Sequence, residues 1–470
     1  MALVFYNSLT RSRQKLEAAT GQSLTMYSCG PTVYHYAHVG NLRSFLFADT
    51  LFRTLKYFGY KPIWAMNITD VDDKTIQGTI TQKGSAANLD DLKNYTQTFF
   101  EAFLSDLEKL NIDPQKIKII KVTEAIEQIQ QDIVALLDKG FAYRAKDGSV
   151  YFDIEKYQSQ FGNYGSLVGD SFLSGKKTGV RIKQDDYTKE NLNDFALWKA
   201  RDENDSQIFW PHPLLGEGRP GWHIECSAIN GLSFKEKTID FHTGGVDLIF
   251  PHHTNEMAQS QALNNQPLAR FWLHLGHLLV EGQKMSKSLN NFYLISQIID
   301  KGFSPLSYRY FTLQSGYGQT LNFTWESLQA ADNARKELLV KTAWLMTKTN
   351  GKIGKIVEEA KSKFDTALAD NLNTSVAIAV MWESLDNKNI EPADKLATVL
   401  NFDEVLGLGL NNAQKMLDVP SEIKSLAEKR KDARAIQDWS EADIVRQNIN
   451  AEGFEIIDTE DGYFIYRKIS

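Results

Sequence analysis

Cysteine is scarce in this chain, and its scarcity limits the roles that the residue can have. Only Cys29 and Cys226 occur among 470 residues, which excludes a disulfide framework and favours free thiols in a reducing compartment. Each cysteine lies in a segment dense in functional residue types, CGPTVYHYAHVGN and GRPGWHIECSAIN, and FPHHTNE at 250–256 supplies further metal ligands. An isolated cysteine is usually a small buried apolar residue. Taken together, however, the three segments predict one zinc site.

Long apolar runs and an excess of basic charge are also absent. No stretch approaches the roughly 18 uncharged residues that a membrane span needs, and MALVFYNSLTRSRQ has no apolar signal core. We therefore expect a cytoplasmic protein without a membrane partner. The net charge of −7 gives no overall sign of nucleic-acid binding, so local basic patches would have to hold any RNA partner.

The first 70 residues show the pattern of a strand, a helix and a second strand. SLTMYSCG at 23–30 is strand-like, and apolar residues then recur at helical spacing from Val39 to Phe58, where Gly59 suits the helix end. PIWAMNI at 62–68 is a nearly continuous apolar strand. Such units form a doubly wound parallel sheet, in which ligands bind beyond the carboxyl ends of the strands. The expected fold class is a Rossmann-like α/β catalytic domain.

Later segments extend this pattern and then depart from it. Residues 85–140 are expected to be helical, and the stretch that follows contains short strand-like pieces, SVYFDI and GVRIK. The sheet pattern returns with TIDFHTGG at 238–245, a helix over 252–264 and one strand, FWLHLGHLLV, at 271–280. The predicted regions are the first half of the catalytic domain (1–110), a connective insertion (111–210), the second half (211–285), a basic loop with the region after it (286–325), a helical bundle (326–410) and a small C-terminal domain (420–470).

Two short motifs indicate a nucleotide site. HVGN at 38–41 lies at a strand-to-helix turn, where free backbone N–H groups attract anions and Gly40 lets a nucleotide approach the backbone. KMSKS at 284–288 suits a polyphosphate clamp, although such a sequence is also common in solvated turns. Each motif is weak alone. Together, in this order, they resemble the HIGH and KMSKS signatures of class I aminoacyl-tRNA synthetases.

Within that class, the chain resembles the cysteinyl-tRNA synthetases nearly end to end. YSCGPTVYHYAHVGNLRS, MNITDVDDK, PGWHIECSAI, DFHTGGVDLIFPHHTNE and KMSKSLNNF match in order. The resemblance implies a zinc ion held by Cys29, Cys226, His252 and Glu256. Spacing would allow His253 with Glu256 equally well, and only the resemblance favours His252.

The resemblance also implies an activity and its site residues. L-cysteine reacts with Mg-ATP to give cysteinyl-adenylate, and the 3′ end of tRNA(Cys) then takes the aminoacyl group. Zinc would select cysteine because a thiolate binds it far better than a hydroxyl does, so no editing domain is expected. The implied catalytic residues are His38, Asn41, Lys284 and Lys287. The remaining ATP contacts are assigned to Gly40, Gly244, Gly245, Asp247, Met285 and Ser286, and the cysteine contacts to Cys29, Thr69, Trp222 and His242.

The last third of the chain carries the expected tRNA contacts. FDTALADNLNTSVAIAVMWE is similar to the anticodon-binding bundle of the family, and 420–470 is similar to its anticodon-recognition domain. Arg434, Trp439, Asp443 and Asp458 fall on positions that read the anticodon, where arginine and carboxylates bond to base edges and an indole stacks on a base. The protein is expected to be a monomer.

Two other functions compete with this one. A ligase that joins cysteinyl-adenylate to an amino sugar would share the zinc pocket and both nucleotide motifs but would lack a tRNA domain, and the last third of the chain argues against it. A non-enzymatic RNA-binding or regulatory module predicts eroded nucleotide motifs. The motifs in this chain are intact.

Overall fold

The computed structural model describes residues 1–162, 164–169, 177–178, 191–192, 194–235, 237–285, 291–459 and 462–468. The chain forms two compact units, a sheet unit and a helical unit. The sheet unit comprises residues 2–294 and 317–322, and the helical unit comprises residues 295–316 and 323–470 with Met1. Among the described helices, none is long and apolar enough to cross a membrane.

The sheet unit contains most of the strands. In chain order they are β1 (Val4–Asn7), β2 (Ser12–Lys15), β3 (Ser23–Ser28), β4 (Lys61–Ile68), β5 (Ile117–Lys121), β6 (Ala142–Arg144), β7 (Val150–Phe152), β8 (Lys177–Thr178), β9 (Asn191–Leu192), β10 (Phe195–Ala200), β11 (Gly218–Pro220), β12 (Ile239–Gly245), β13 (Ala269–Leu275), β14 (Leu278–Val280), β15 (Gln283–Lys284) and β16 (Leu321–Phe323), the last of which runs into the helical unit. The helices of this unit span Val39–Tyr57, Asp73–Lys83, Leu89–Lys109, Ile126–Asp138, Ile154–Phe161, Trp222–Phe234 and Thr254–Asn264.

A five-stranded parallel sheet forms the centre of this unit, in the order β13-β12-β3-β4-β5. The chain runs outward from β3 to β4 and β5, and then returns to place β12 on the other side of β3. Between β3 and β12 the strand order therefore reverses, which is where doubly wound sheets open a ligand cleft at their carboxyl ends. This topology confirms the predicted Rossmann-like fold and the first strand–helix–strand unit.

One helix prediction and one strand prediction were wrong in detail. Residues 117–121, IKIIK, were expected to be helical and to lie in the insertion, but β5 pairs with β4 as the edge strand of the parallel sheet. This strand has only five residues, three Ile and two Lys, and lies between two strongly periodic helices, so its short pattern was taken as part of the helical sequence. The sheet therefore includes part of the segment 111–210 that the sequence assigns to the insertion.

The predicted strand 271–280 is interrupted at Gly276 and His277. β13 belongs to the parallel sheet, whereas β14 pairs in a three-stranded sheet with β15 and β16. The N–H of Gly276 donates to Tyr317 O at 2.9 Å, and a Cβ added at Gly276 would lie 2.4 Å from Gln319 O. A close backbone approach therefore breaks the strand. In the insertion, β7 confirms the SVYFDI strand, and GVRIK lies outside the described residues.

The helical unit matches the helical region expected from the sequence, followed by a small C-terminal subdomain. Its helices span Ile295–Asp300, Pro305–Leu313, Trp325–Lys348, Glu358–Ala369, Thr374–Asp386, Pro392–Leu406, Ser421–Ala435 and Trp439–Ala451. The strands β17 (Phe454–Thr459) and β18 (Gly462–Arg467) form an antiparallel hairpin. The last two helices pack on this hairpin around a core of Val419, Ile423, Ala427, Val445, Ile449, Phe454 and Ile456.

Candidate active site

Four side chains from three segments converge at the carboxyl end of the parallel sheet. Cys29 follows β3, Cys226 lies on the helix Trp222–Phe234, and His252 lies in a π-helical turn that runs into the helix carrying Glu256. One ligand atom of each residue lies within 4.8 Å of those of the other three. The two Sγ atoms are 3.9 Å apart, Cys29 Sγ is 3.6 Å from Glu256 Oε1, and His252 Nε2 is 3.0 Å from the same oxygen.

These separations lie within about 0.3 Å of those expected around a tetrahedral metal ion. Bonds of about 2.0–2.3 Å in tetrahedral geometry place neighbouring donor atoms about 3.3–3.8 Å apart. Burial raises the pKa of both thiols, so without a cation Cys29 and Cys226 stay protonated at neutral pH. A bound metal ion reverses this preference because it stabilises the thiolate. The donor set and its geometry can therefore hold a metal ion.

Two buried histidines orient ligand side chains of this cluster. His223 Nδ1 lies 3.0 Å from His252 Nδ1, while Nε2 of His252 faces Glu256. His242 Nε2 lies 2.8 Å from Glu256 Oε2, so Oε1 is the oxygen that faces Cys29. Burial lowers the pKa of His223 and His252 to about 3, so both rings are neutral near pH 7. Metal-binding histidines are commonly oriented in this way through their second ring nitrogen.

A second group of four residues shares Cys29 and Glu256 with the first. Together with His242 and His253, these two residues also bring one ligand atom each within 4.8 Å of the others. His253 Nε2 lies 3.4 Å from Cys29 Sγ. The spacing in the sequence allowed either His252 or His253 as the metal ligand, and the distances between side chains in the structure allow either as well. The first group is the better candidate because it alone of the two uses the buried thiol of Cys226, and a pair of thiolates suits zinc-type ions.

Trp222 and Thr69, predicted to line the substrate pocket, lie beside the cluster. Trp222 stacks on His252 with ring centroids 4.3 Å apart, and Cys226 follows one helical turn later. The Thr69 hydroxyl donates to Glu225 Oε2 at 2.8 Å. Glu225 is 1% exposed and was not predicted from the sequence. A carboxylate next to Cys226 in a largely buried helix was the signal that could have identified it.

Gly30 and Asn67 shape the loop that carries Cys29. The N–H of Gly30 donates to Asn67 Oδ1 at 2.7 Å, and the Asn67 amide in turn donates to Thr69 Oγ1 at 3.1 Å. A Cβ added at Gly30 would lie 1.7 Å from the carbonyl oxygen of Asn67. This position therefore requires glycine, and neither residue was predicted as part of the site.

The predicted nucleotide motifs lie close together at the start of the first helix. His38 is the N-cap of Val39–Tyr57, where its Nδ1 accepts from the N–H of Asn41 at 3.0 Å and Asn41 Oδ1 accepts from the N–H of His38 at 3.3 Å. A Cβ added at Gly40 would lie 3.2 Å from Met285 Cε, so HVGN adjoins the first residues of the KMSKS segment. Lys284 is exposed on β15. Ser286 and Lys287 lie outside the described residues.

The glycines at the end of β12 have different neighbours. A Cβ added at Gly244 would meet the His253 ring at 2.5 Å, so packing alone already requires glycine there. Gly245 precedes a short 3₁₀ turn, and Asp247 in that turn is exposed. An exposed carboxylate beside the cleft is compatible with the predicted ribose contact, which stays a prediction.

Arg43 was not predicted from the sequence, although it connects the two nucleotide segments. It is 2% exposed. Its Nη1 donates to Gly276 O at 2.7 Å and to His277 O at 2.9 Å, and its Nη2 donates to Gln319 O at 2.9 Å. The helix that begins with HVGN is therefore bound to the turn that leads to β14 and β15.

Three of the four predicted anticodon residues lie together in the C-terminal subdomain. Arg434 lies 3.3 Å from Asp458 Oδ2, and its guanidinium is 5.3 Å from the ring centre of Trp439, which is 55% exposed. Arg430, which was not predicted, donates to both oxygens of Asp458 at 2.7 and 3.1 Å and lowers the pKa of that carboxyl. Asp443 is exposed one helical turn after Trp439. The Asp458 carboxylate thus orients arginines in this structure.

The fold is shared with synthetases of known structure. Residues 15–333 match the family described as the class I (C) tRNA synthetase catalytic domain. Methionyl-tRNA synthetase of Mycobacterium tuberculosis with methionyl-adenylate has 13% identity and a TM-score of 0.58, covering 87% of this chain and 96% of that chain. LeuRS of Agrobacterium radiobacter K84 in a ternary complex with tRNA and LeuAMS has 12% identity and a TM-score of 0.61, covering 84% and 85%. Fold and site together define a class I aminoacyl-tRNA synthetase.

Cysteine–tRNA ligases match this chain over almost its whole length. The enzyme of Chlamydia caviae is 40% identical, and the match covers 98% of this chain and 97% of that protein. The enzyme of Protochlamydia amoebophila is 38% identical with coverages of 98% and 97%, and that of Brachyspira hyodysenteriae is 37% identical with coverages of 99% and 99%. The chain belongs to the cysteine–tRNA ligase family. The family resemblance predicted from the motifs is thereby confirmed.

Cys226→Ser distinguishes the two candidate ligand groups. Serine is a poor metal ligand, so this variant should lose stoichiometric metal if the group with His252 binds the ion, whereas His253→Asn should keep it. Elemental analysis after dialysis measures the metal content, and cobalt substitution reports bound thiolates through their charge-transfer absorption. Parental metal content in Cys226→Ser, together with loss in His253→Asn, would assign the site to the second group.

Proposed function

We propose that this protein is a cysteine–tRNA ligase that activates L-cysteine with ATP and transfers it to the 3′ end of tRNA(Cys). The observation that carries the proposal is the position of Cys29. It belongs to the candidate metal site at the carboxyl end of β3, and the short loop that follows it leads to His38 and the predicted nucleotide motif. The proposed thiol-selecting site around Cys29 and the N-terminus of the helix at His38, which suits an anion, therefore lie at one end of the same sheet.

The proposed metal is zinc, one per chain, held by Cys29, Cys226, His252 and Glu256. Thiolate, imidazole and carboxylate groups are all zinc ligands, and four of them within tetrahedral reach satisfy its preferred coordination number. When bound, zinc supplies a Lewis acid that favours the substrate thiolate over a hydroxyl. The chain's own contribution to selectivity is the Trp222 ring beside this cluster, together with Thr69, whose hydroxyl direction is set by Glu225. Cysteine and serine differ by one atom, so a cavity of fixed size separates them poorly. A metal–sulfur bond separates them better, because only cysteine can form it.

In the activation step, the cysteine carboxylate attacks the α-phosphorus of Mg-ATP and pyrophosphate leaves. We assign stabilisation of the developing charge to His38, Asn41, Lys284 and Lys287. The first two lie at the N-terminus of a helix, where N–H groups and the helix dipole favour anions. In the transfer step, a ribose hydroxyl of the terminal nucleotide attacks the adenylate carbonyl and AMP leaves. Both steps rest on positioning and charge stabilisation.

The helical unit is proposed to bind tRNA(Cys), with Arg434, Trp439, Asp443 and Asp458 near the anticodon. Trp439 presents an exposed indole beside the Arg434 guanidinium, a pairing that suits a splayed base. This unit disfavours the alternative of a cysteine ligase that acts on an amino sugar, because that reaction has no use for it. A monomeric, cytoplasmic enzyme remains part of the proposal.

Pyrophosphate exchange with each amino acid in turn tests the proposed substrate. Cysteine should support ATP–pyrophosphate exchange, and serine should support it at a rate lower by several powers of ten, because it lacks a thiolate. Charging of tRNA(Cys) transcripts in the same preparation tests the second step. Exchange with another amino acid in preference to cysteine would refute the substrate assignment, and charging of an amino sugar in place of tRNA would favour the alternative ligase.

His38→Asn tests the catalytic role of the imidazole separately from its structural role. Asparagine is a good N-cap residue, so this variant should keep the thermal unfolding midpoint of the parent, whereas His38→Ala also loses a cap that contributes about 1 kcal/mol. Exchange should fall by about 100- to 1,000-fold in His38→Asn, as for other single transition-state contacts. An exchange rate equal to that of the parent would assign His38 to helix capping alone.

Trp439→Ala tests the proposed anticodon contact. Loss of one stacking ring should lower kcat/KM for tRNA(Cys) charging by about tenfold, because stacking on a base contributes about 1–3 kcal/mol, and should leave pyrophosphate exchange without tRNA unchanged. Ile353→Ala is the matched control, since Ile353 is 65% exposed in the same unit. Equal kinetics for Trp439→Ala and the parent would contradict the contact.

A further inference from the structure

A partly exposed aromatic cluster, in which Tyr36 is the exposed ring, lies just before the first turn of the helix Val39–Tyr57. Tyr36 is 44% exposed, and its ring meets that of Phe99 edge-on with centroids 5.3 Å apart. His35 stacks on Phe99 with centroids 6.3 Å apart and planes 8° from parallel. Tyr95 contacts Phe99 at 5.2 Å. The partly exposed Tyr36 ring is thus held by a supporting layer of rings.

The cluster continues to the nucleotide motif without a break. His35 contacts the edge of Phe292 at 5.6 Å, and Phe292 in turn contacts the His38 ring at 4.8 Å. Phe292 follows the KMSKS segment in the chain, and His38 is the N-cap at which we place the α-phosphate chemistry. A chain of ring contacts therefore leads from the exposed Tyr36 to the reaction centre.

A cation and a fixed backbone accompany the rings. Lys74 is exposed, and its Nζ lies 5.0 Å from the centre of the Tyr34 ring. The Tyr95 hydroxyl donates to Tyr34 O at 3.0 Å, which ties the loop carrying Tyr36 to the helix Leu89–Lys109. An aromatic surface with an adjacent ammonium group is complementary to a nucleotide, whose base stacks and whose phosphate carries negative charge.

Core packing accounts for only part of this arrangement. Packing explains the contacts of Phe99 and Tyr95, but it does not require a ring at position 36 with almost half of its surface open. Sequence-independent RNA sites combine exposed rings with local positive charge, and unpaired RNA segments have bases that are free to stack. Of these segments, the 3′ end is the one that must reach the chemistry proposed beside His38.

We propose that Tyr36, supported by His35 and Phe99, is a stacking surface for the unpaired 3′-terminal nucleotides of tRNA. The surface would guide the terminal ribose toward the adenylate beside His38. This inference rests on the proposed function, because it needs tRNA as the acceptor. It concerns the transfer step alone, since activation takes place without tRNA.

Tyr36→Ala tests the surface, with Tyr6→Ala as the matched control because Tyr6 is 42% exposed on β1. The rate of cysteine transfer from preformed adenylate to tRNA(Cys), measured in a single turnover at subsaturating tRNA, should fall about tenfold in Tyr36→Ala. Tyr36→Phe should restore it, because stacking needs the ring and not the hydroxyl. Tyr6→Ala should behave as the parent.

Affinity measurements locate the contact on the RNA. Tyr36→Ala should weaken binding of intact tRNA(Cys) but not of a transcript that lacks the unpaired 3′ nucleotides. Equal weakening for both RNAs would place Tyr36 on the duplex and overturn the proposal, as would an equal loss of pyrophosphate exchange, which would place the ring at the ATP base. Failure of the proposed function itself has another signature, because the unaltered protein would then not charge tRNA(Cys).

Discussion

The parallel pairing of β3 with β12 is the contact on which the site depends. Met26 pairs with Phe241, Tyr27 with His242, and Ser28 with Thr243. Because side chains alternate between the two faces of a sheet, a shift of one residue would turn His242 away from Glu256 and displace Cys29 from the cluster. The helices that carry Cys226 and Glu256 can complete a metal site only when this register is kept.

Burial gives this cluster its chemical character. Burial raises the pKa of the thiols and lowers that of the neighbouring histidines, so each of these groups favours its neutral form until a cation arrives. Binding of the proposed ion would release the thiol protons, so metal affinity should fall as the pH is lowered. The orientation of the donors, in contrast, is set beforehand by the hydrogen bonds of His223 and His242.

The sequence predicted the parallel sheet and the residues with distinctive chemistry, because ligand spacing, helix starts and apolar periodicity are local patterns. It did not predict interactions that depend on the approach of distant backbones. The strand β5 was hidden between two helices, and the break at Gly276 arises from contacts with Tyr317 and Gln319. The capping role of His38 is also a local pattern, but the same residue suits an anion site, so the sequence could not separate the two roles. The sequence also did not predict the pairing of Asp458 with Arg430, because this pair forms only when the final hairpin is folded.

Arg43 has a consequence for the spacing of the two segments that we propose to contact the phosphates of ATP. Its planar guanidinium reaches three carbonyl oxygens at once, and a lysine at this position would present a point charge without that forked geometry. The hydrogen bonds of Arg43 thereby join the first helix to the turn before β14. The distance between the HVGN helix start and the strand bearing Lys284 is therefore set by contacts within the fold. In the proposed reaction, a triphosphate that enters between them would meet two segments already held at this distance, so its binding free energy would not be spent on bringing them together.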